Sequence, residues 1–304
     1  MKNSSWKKKA VDFTVYMIIR FAICFVQAIP MEMCQQGSAF LAFLFSDILR
    51  VRHKILKKNL TNAYPQHTRS EYRLLCRAMW EHLFLMAVEV AKAPRTLNEL
   101  NWYKNIRIIG SETLLNAVHS NRPMIIITGH FGNFELGGYL LGLLGYPAFS
   151  VARTLDNPWL NRFIQGFRES TGQFLISKNE GYDEILEVLR NRGTMAFLAD
   201  QSAGPKGCMI NFFGQKASAY KAMALLSIEY NAPILICACT RRDGVPMSFN
   251  MEALASLDPQ NRPKELTTIK EITQWFTSVL ESAIRRNPEQ YWWLHNRWKT
   301  FDHH

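Results

Sequence analysis

Only six of the 304 residues are cysteine, and apart from Cys237 and Cys239 they are scattered. That excludes a disulfide framework and suits a reduced, cytoplasm-facing protein. Cys237-Ala238-Cys239 has no second Cys or His pair at ligand spacing, so these thiols read as small buried hydrophobes of a strand and no metal is expected. A Gly-x-Ser-x-Gly elbow, a Walker-type phosphate loop, a Gly-x-Gly-x-x-Gly fingerprint and a His-Glu-x-x-His zinc helix are all missing. The serine-hydrolase, nucleotide-binding and zinc-protease readings lose their usual signatures with them. There is no internal repeat and no low-complexity stretch. Acidic residues are few, 25 against 36 Lys and Arg, leaving a formal charge of +11. A basic chain calls for an acidic partner: an anionic membrane surface, a nucleic acid or an acidic protein. No recognition-helix, RNP or zinc-finger pattern supports the nucleic acid.

The first fifty residues favour the membrane. Lys7-Lys8-Lys9 precede an apolar run from Val11 to Ile29 ended by Pro30, which as a helix is about 28 Å long, close to a bilayer core. Arg20 interrupts it, at a cost of about 3 kcal/mol on insertion scales. A second apolar stretch, Ser38 to Leu49, is too short to span, and the cationic block Arg50, Arg52, His53, Lys54, Lys57, Lys58 follows. Basic groups on both sides of apolar segments suit a helical hairpin lying in the cytoplasmic leaflet, or one tilted spanning helix. A secretory signal peptide is the alternative, but no convincing small-x-small cleavage site precedes Pro30.

What the chain does contain is Thr128-Gly129-His130-Phe131-Gly132-Asn133-Phe134-Glu135, following the β-branched run Met124-Ile125-Ile126-Ile127. The run reads as a buried strand, and Leu136, Tyr139, Leu140 and Leu143 continue at helical spacing, so the motif occupies a strand-to-helix turn. His130 then stands where ligand crevices of α/β sheets lie, and Glu135 in the first helical turn can fold back to orient it. A carboxylate on one ring nitrogen fixes the tautomer and makes the other a general base. With eight histidines and 25 acids, a His-x4-acid match arises by chance roughly 0.7 times. The spacing therefore carries weight only through its strand-turn-helix context, and a histidine that merely caps the turn is the competing reading.

Elsewhere, Asn59-Leu60 and Tyr64-Pro65 mark a turn, and Thr68 with Glu71 forms a capping box for a helix from Ser70 to about Lys92, ended by Pro94. Strands are expected at Ile106–Gly110, Ala148–Ala152, Thr194–Ala199 and Ile234–Cys239, and helices at Ser111–His119, Trp159–Gly172 and Ser218–Tyr230, with a loop at 211–214 before the last. Arg153 at a strand exit is suited to hold a phosphate or a thioester-linked donor, and Arg162 and Arg168 lie on the following helix. The tail Pro288-Glu289-Gln290-Tyr291-Trp292-Trp293-Leu294-His295-Asn296-Arg297-Trp298 reads as a core-closing strand or short helix, with Arg297 a candidate pocket residue. The partition expected is 1–58 membrane-associating helices and basic block, 59–105 helical connector, 106–304 catalytic α/β domain.

Taken in order, the apolar amino terminus, Asn59-Leu60, Tyr64-Pro65, TGHFGNFE at 128–135, Arg153 with Asn157-Pro158, Asp200-Gln201, FFG at 212–214 and PEQYWWLHNRW resemble the bacterial lipid A biosynthesis (lauroyl/myristoyl) acyltransferase family over almost the whole chain. Departures fall at Ile210-Asn211 and Ala219-Tyr220, and bear on the acceptor pocket. The resemblance implies an α/β fold with a mixed β-sheet flanked by helices, a glycerolipid-acyltransferase-like core, behind an N-terminal membrane-associated helical region. It implies attachment to the cytoplasmic face of the bacterial inner membrane, with His130 and Glu135 as the catalytic pair. Arg153 would position substrate and Asp200 would line the same crevice, with Asn133, Arg168 and Arg297 as further substrate-binding expectations. The donor would be acyl carrier protein or acyl-CoA and the acceptor a membrane glycolipid, with no cofactor beyond the acyl thioester and no nucleic acid. Two alternatives stay open from the residues: an acyl hydrolase working through Cys208 or a serine, and a non-enzymatic membrane or nucleic-acid binder.

Overall fold

The computed structural model describes residues 6–113, 115, 121–177 and 181–299. Among them, nine strands and nine α-helices surround one large sheet. The helices are α1 Trp6–Ala28, α2 Met31–Phe43, α3 His53–Ala63, α4 Arg69–Thr96, α5 Phe134–Leu143, α6 Pro158–Glu169, α7 Tyr182–Arg190, α8 Ala222–Glu229 and α9 Ile269–Arg286. The strands are β1 Ile106–Ile109, β2 Met124–Thr128, β3 Ala148–Ala152, β4 Gln173–Ser177, β5 Thr194–Leu198, β6 Cys208–Phe212, β7 Gln215–Ala219, β8 Ile234–Arg241 and β9 Phe249–Leu257.

Seven strands form the sheet in the order β1-β9-β8-β2-β5-β3-β4, and β6-β7 is a separate hairpin. All pairings in the large sheet are parallel except β8 with β9, so it is mixed and flanked by helices. The central strand β2 explains its own composition. Ile125 and Ile127 pack with Phe276 and Leu280 of α9, whereas Met124 and Ile126 pack with Leu136 and Leu140 of α5. Both faces are covered, hence the continuous apolar run.

Both long helices after α2 start on capping boxes, Thr68 with Glu71 and Thr268 with Glu271. Several expectations need correction. Helix α4 passes through Pro94 and stops at Thr96, since a proline in the last turn forgoes only one backbone hydrogen bond. Asn59-Leu60 is no turn: both lie in α3, where the buried Asn59 amide donates to the carbonyls of Trp293 (2.7 Å) and His295 (2.6 Å). The loop expected at 211–214 is the β6-β7 hairpin, turning at Phe213 and Gly214, both at positive φ. The helix expected at Ser111–His119 lies largely outside the described residues. Helix α3 runs across the border expected at 58/59.

Helix α1 lies along the rest of the protein. Asn157 donates to the Asp12 carbonyl (2.8 Å), Phe13 meets Trp159 edge-on (5.3 Å), and Gln27 donates to the Ala91 carbonyl (2.7 Å). Arg20, costly in hydrocarbon, instead lies over the Phe163 ring of α6, 4.7 Å from its centroid. The opposite side of α1 exposes Val11, Ile18, Phe21 and Phe25.

Candidate active site

Parallel pairing of β2 with β5 sets Thr128 opposite Leu198. Two residues beyond each strand end stand His130 and Asp200, brought together by that register. Nδ1 of His130 and Oδ1 of Asp200 are 2.8 Å apart. A Cβ at Gly129 would meet Asp200 at 3.4 Å, an ordinary contact, so the two groups pack closely there. Nδ1–H donates to the carboxylate, so the Nε2 lone pair is the acceptor, taking a bond from the Gln201 side-chain amide 3.3 Å away. The imidazole side chain is 18 % exposed and Asp200 almost wholly enclosed.

Charge and burial oppose each other in this pair. Burial depresses the His130 pKa, but the Asp200 carboxylate, by its charge and hydrogen bond, and then the Glu135 charge outweigh it, so His130 titrates above the ordinary histidine value. Burial likewise would raise the Asp200 carboxyl, and His130 overcomes it and holds the carboxyl below its usual range.

The carboxylate expected to orient His130 makes a different contact. Glu135, in the first turn of α5, takes a bidentate ion pair from Arg168 of α6, Nε–Oε2 at 3.0 Å and Nη2–Oε1 at 2.5 Å. Five residues on from His130, the chain has entered a helix, and Glu135 projects toward α6, not onto Nδ1. Arg168 is thereby engaged with Glu135. Arg153 is on the surface: its side chain is 79 % exposed, with Asp156 4.0 Å away as its charge contact. Asn133 is buried as the cap of α5, accepting from the Leu136 amide and donating to Glu89. Arg297 is buried too, donating to the Ser218 carbonyl and lying over Phe212. It packs the core beneath the site, and burial lowers its pKa.

Gly132 amide donates to the Gln290 carbonyl (2.9 Å) and Asn133 amide to the Cys239 carbonyl (2.7 Å). Both amides are thus committed to backbone carbonyls and are not free to face a developing oxyanion. Gly132 sits at φ +63°, and a Cβ there would lie 2.1 Å from the Cys239 oxygen, so only glycine fits.

Beneath the loop is a polar network that sequence reasoning missed. Arg241 of β8 makes two 2.7 Å bonds to Glu89 of α4, and its Nη1 is 2.9 Å from His82 Nδ1. That arginine can only donate, so His82 carries its proton on Nε2 and gives it to the Gly132 carbonyl at 3.2 Å. Burial first and the Arg241 charge next hold the His82 pKa at about 3, so the ring is neutral. Gln290 bonds both backbone groups of Arg241. The tail closes the loop from the other side, Trp292 amide donating to the His130 carbonyl (2.9 Å) and Phe131 bridging Tyr291. One signal was present: His82, Glu89 and Lys92 fall on α4 among buried apolar positions. A buried charge is rarely left unpaired.

An α/β sheet carrying an imidazole-carboxylate pair at the carboxyl ends of adjacent parallel strands has the equipment of a general-base enzyme. The sequence matches the family described as bacterial lipid A biosynthesis acyltransferase over residues 3–300, and the chain belongs to that family; it is an acyltransferase acting on a lipid. Among its relatives is a lipid A biosynthesis palmitoleoyltransferase of Escherichia coli (strain K12), 25% identical over 260 residues, covering 83% of this chain and 80% of the relative. A lipid A biosynthesis lauroyltransferase of the same organism is 22% identical over 275 residues, covering 88% and 84%. The crystal structure of a 1-acyl-sn-glycerophosphate acyltransferase from Thermotoga maritima aligns with a TM-score of 0.41 at 11% identity, over 88% of this chain and 97% of that one.

Proposed function

We propose that this protein is a membrane-attached O-acyltransferase that moves a fatty acyl chain from a thioester, acyl carrier protein or acyl-CoA, to a hydroxyl of a lipid A precursor or a related glycolipid. His130 Nε2 takes the hydroxyl proton, the oxygen attacks the thioester carbonyl, the C–S bond breaks, and the imidazolium returns its proton to the leaving thiolate. The thioester is the only co-substrate this step uses. The 2.8 Å His130–Asp200 contact beside a partly exposed ring is the observation that carries the reading. Asp200 takes the orienting role that the motif spacing gave to Glu135. The Glu135 carboxylate places negative charge near the imidazole, and its pairing with Arg168 holds α6 against α5.

General-base catalysis contributes about 10²- to 10⁴-fold, and positioning supplies the rest. A hydrolase working through a covalent acyl-enzyme would need a nucleophilic side chain beside its base. Cys208 is instead paired with Ala219 in the β6-β7 hairpin, and Cys237 and Cys239 are buried thiols whose pKa values burial pushes up, that of Cys237 to about 12.

Helix α1 is long and apolar enough to reach across a bilayer, yet the contacts from Asp12 to Gln27 tie about 22 Å of it to α6 and α4. An in-plane anchor satisfies both facts, its exposed aromatic face entering the leaflet. Purified protein, a labelled acyl thioester and extracted membrane lipid, with the product identified by mass spectrometry, test the reaction. His130→Ala is expected to abolish transfer while keeping vesicle binding. Turnover retained in that variant removes His130 from the mechanism.

A further inference from the structure

A second concave site lies away from His130, between the turn after α2, α3 and the start of α4. It is a half-open concavity of about 500 Å³, lined by Arg50, Lys57, Arg69 and Arg73, with His53, against the single carboxylate of Asp47. That carboxylate is already spent. Arg73 and Arg77 hold it at 2.6 and 2.9 Å. Among the described residues, Arg50, Lys57 and Arg69 form no ion pair, and all three are exposed.

The backbone turns sharply at the first of these cations. Arg50, which lines the cavity, and Arg52, which does not, both adopt positive φ, 49° and 54°, a conformation that costs a residue with a Cβ of order 1–3 kcal/mol. Arg52 is fixed by donating to the Leu294 carbonyl (3.0 Å). Directly before Arg50 stand Ile48 and Leu49, 59 % and 56 % exposed. Unpaired cations from three elements around a cavity suit a compact multivalent anion. An apolar lip beside them suits the hydrocarbon that such an anion would be attached to.

We propose that this cavity binds the phosphomonoester headgroup of a membrane lipid, with Arg50, Lys57 and Arg69 as its donors and Ile48 and Leu49 against the acyl region. The site is separate from the acyl-transfer step and is read by binding without turnover. A concave, half-open cavity favours a headgroup over the broad face of an acidic protein, which would meet these charges on a convex surface.

The test is flotation of the full chain with phosphatidylcholine vesicles carrying, at matched surface charge, phosphatidic acid (a phosphomonoester) or phosphatidylglycerol (a phosphodiester). The unaltered protein is expected to prefer phosphatidic acid by about fivefold or more. Arg50→Gln/Lys57→Gln/Arg69→Gln is expected to erase that preference. Lys57→Gln/Arg69→Gln, which changes only exposed helical positions, is expected to do the same in part. Removing the same charge as Lys7→Gln/Lys8→Gln/Lys9→Gln is expected to weaken both kinds of vesicle equally and keep the preference. A preference that survives in the cavity variants, or one lost equally in the amino-terminal variant, overturns the proposal. Calorimetric binding of inorganic phosphate that the cavity variants lose while the vesicle preference persists would assign the cavity to a free anion instead. Weaker binding of acyl carrier protein with unchanged vesicle preference would assign it to a protein, and either result sinks the lipid assignment.

Discussion

Replacing Asp200 by Asn separates the two possible partners of His130. The amide keeps the shape of the carboxylate and removes its charge, and it can present either a donor or an acceptor to Nδ1. With the acceptor presented, His130 keeps its tautomer but loses the anion that lifts its pKa. With the donor presented, the proton moves to Nε2 and the base is lost. General-base catalysis of about 10²- to 10⁴-fold, at 1.36 kcal/mol per decade, corresponds to about 2.7–5.5 kcal/mol of barrier, and Asp200→Asn is expected to forfeit most of it. Because burial depresses the His130 pKa and Asp200 is the chief influence raising it, the acid limb of kcat/KM is expected above the ordinary histidine value in the native enzyme. In Asp200→Asn it moves to lower pH. Glu135→Gln removes a smaller influence on the ring and is expected to shift that limb less, while loosening Arg168 and raising KM. The assay is initial-rate acyl transfer between pH 5 and 9, scored for both kcat and the position of the limb. A near-native rate and limb in Asp200→Asn, together with a collapsed kcat in Glu135→Gln, would refute the assignment and restore Glu135 as the orienting acid.

The same pair links stability to pH. His130 binds its proton more tightly folded than unfolded, so its contribution is complete below about pH 6.5 and is lost as pH rises through the higher folded pKa; Asp200 contributes above about pH 4 and loses that as pH falls through its depressed value. The melting-temperature gap between the native protein and His130→Gln is therefore expected to be widest near pH 5–6 and to narrow toward pH 9. Glu89→Gln leaves the enclosed Arg241 without its counter-charge and is expected to cost about 3–5 kcal/mol in denaturant unfolding. Gly132→Ala must hold a Cβ at φ +63° against the Cys239 oxygen, and a loss of at least about 1–3 kcal/mol is expected, with reduced activity. Phe21→Ser/Phe25→Ser on the exposed face of α1 is expected to release the protein from membranes into the soluble fraction without changing its fold by circular dichroism.

The elements legible in the sequence were those whose signal is local. The run Met124-Ile125-Ile126-Ile127 is apolar on both faces because helices cover both, and the Thr68 and Glu71 spacing fixes the start of α4 wherever that helix packs. The β6-β7 hairpin was missed because its residues, among them Asn211, Lys216 and Ser218, carry no alternation long enough to compete with a loop. Asn59 looked like turn chemistry because its side chain does bond backbone carbonyls, but they belong to a segment 234 residues away. The partner of His130 is the sharpest case. An offset of five in sequence pointed to Glu135, whereas the bond to Asp200 depends on which strand pairs with β2 and in what register. The resemblance implies Asp200 in the same crevice, but nothing in its sequence position indicates a bond to the imidazole.

That register has a consequence for how the site is built. Two strand ends deliver His130 and Asp200, but the loop from 130 to 133 would hang free at the carboxyl end of the sheet if only the sheet held it. Three separate parts of the chain grip it: α4 through His82 and Glu89, β8 through Cys239, and the tail through Gln290 and Trp292. Each bond goes to a backbone group or to the Asn133 cap, leaving the Nε2 side of the imidazole as the side without a backbone tether. Preorganisation of this kind needs the helical region before the sheet and the aromatic tail after it as much as the sheet itself. A family whose likeness extends over residues 3–300 is what such a division of labour requires, since loss of either end would free the loop that carries the base.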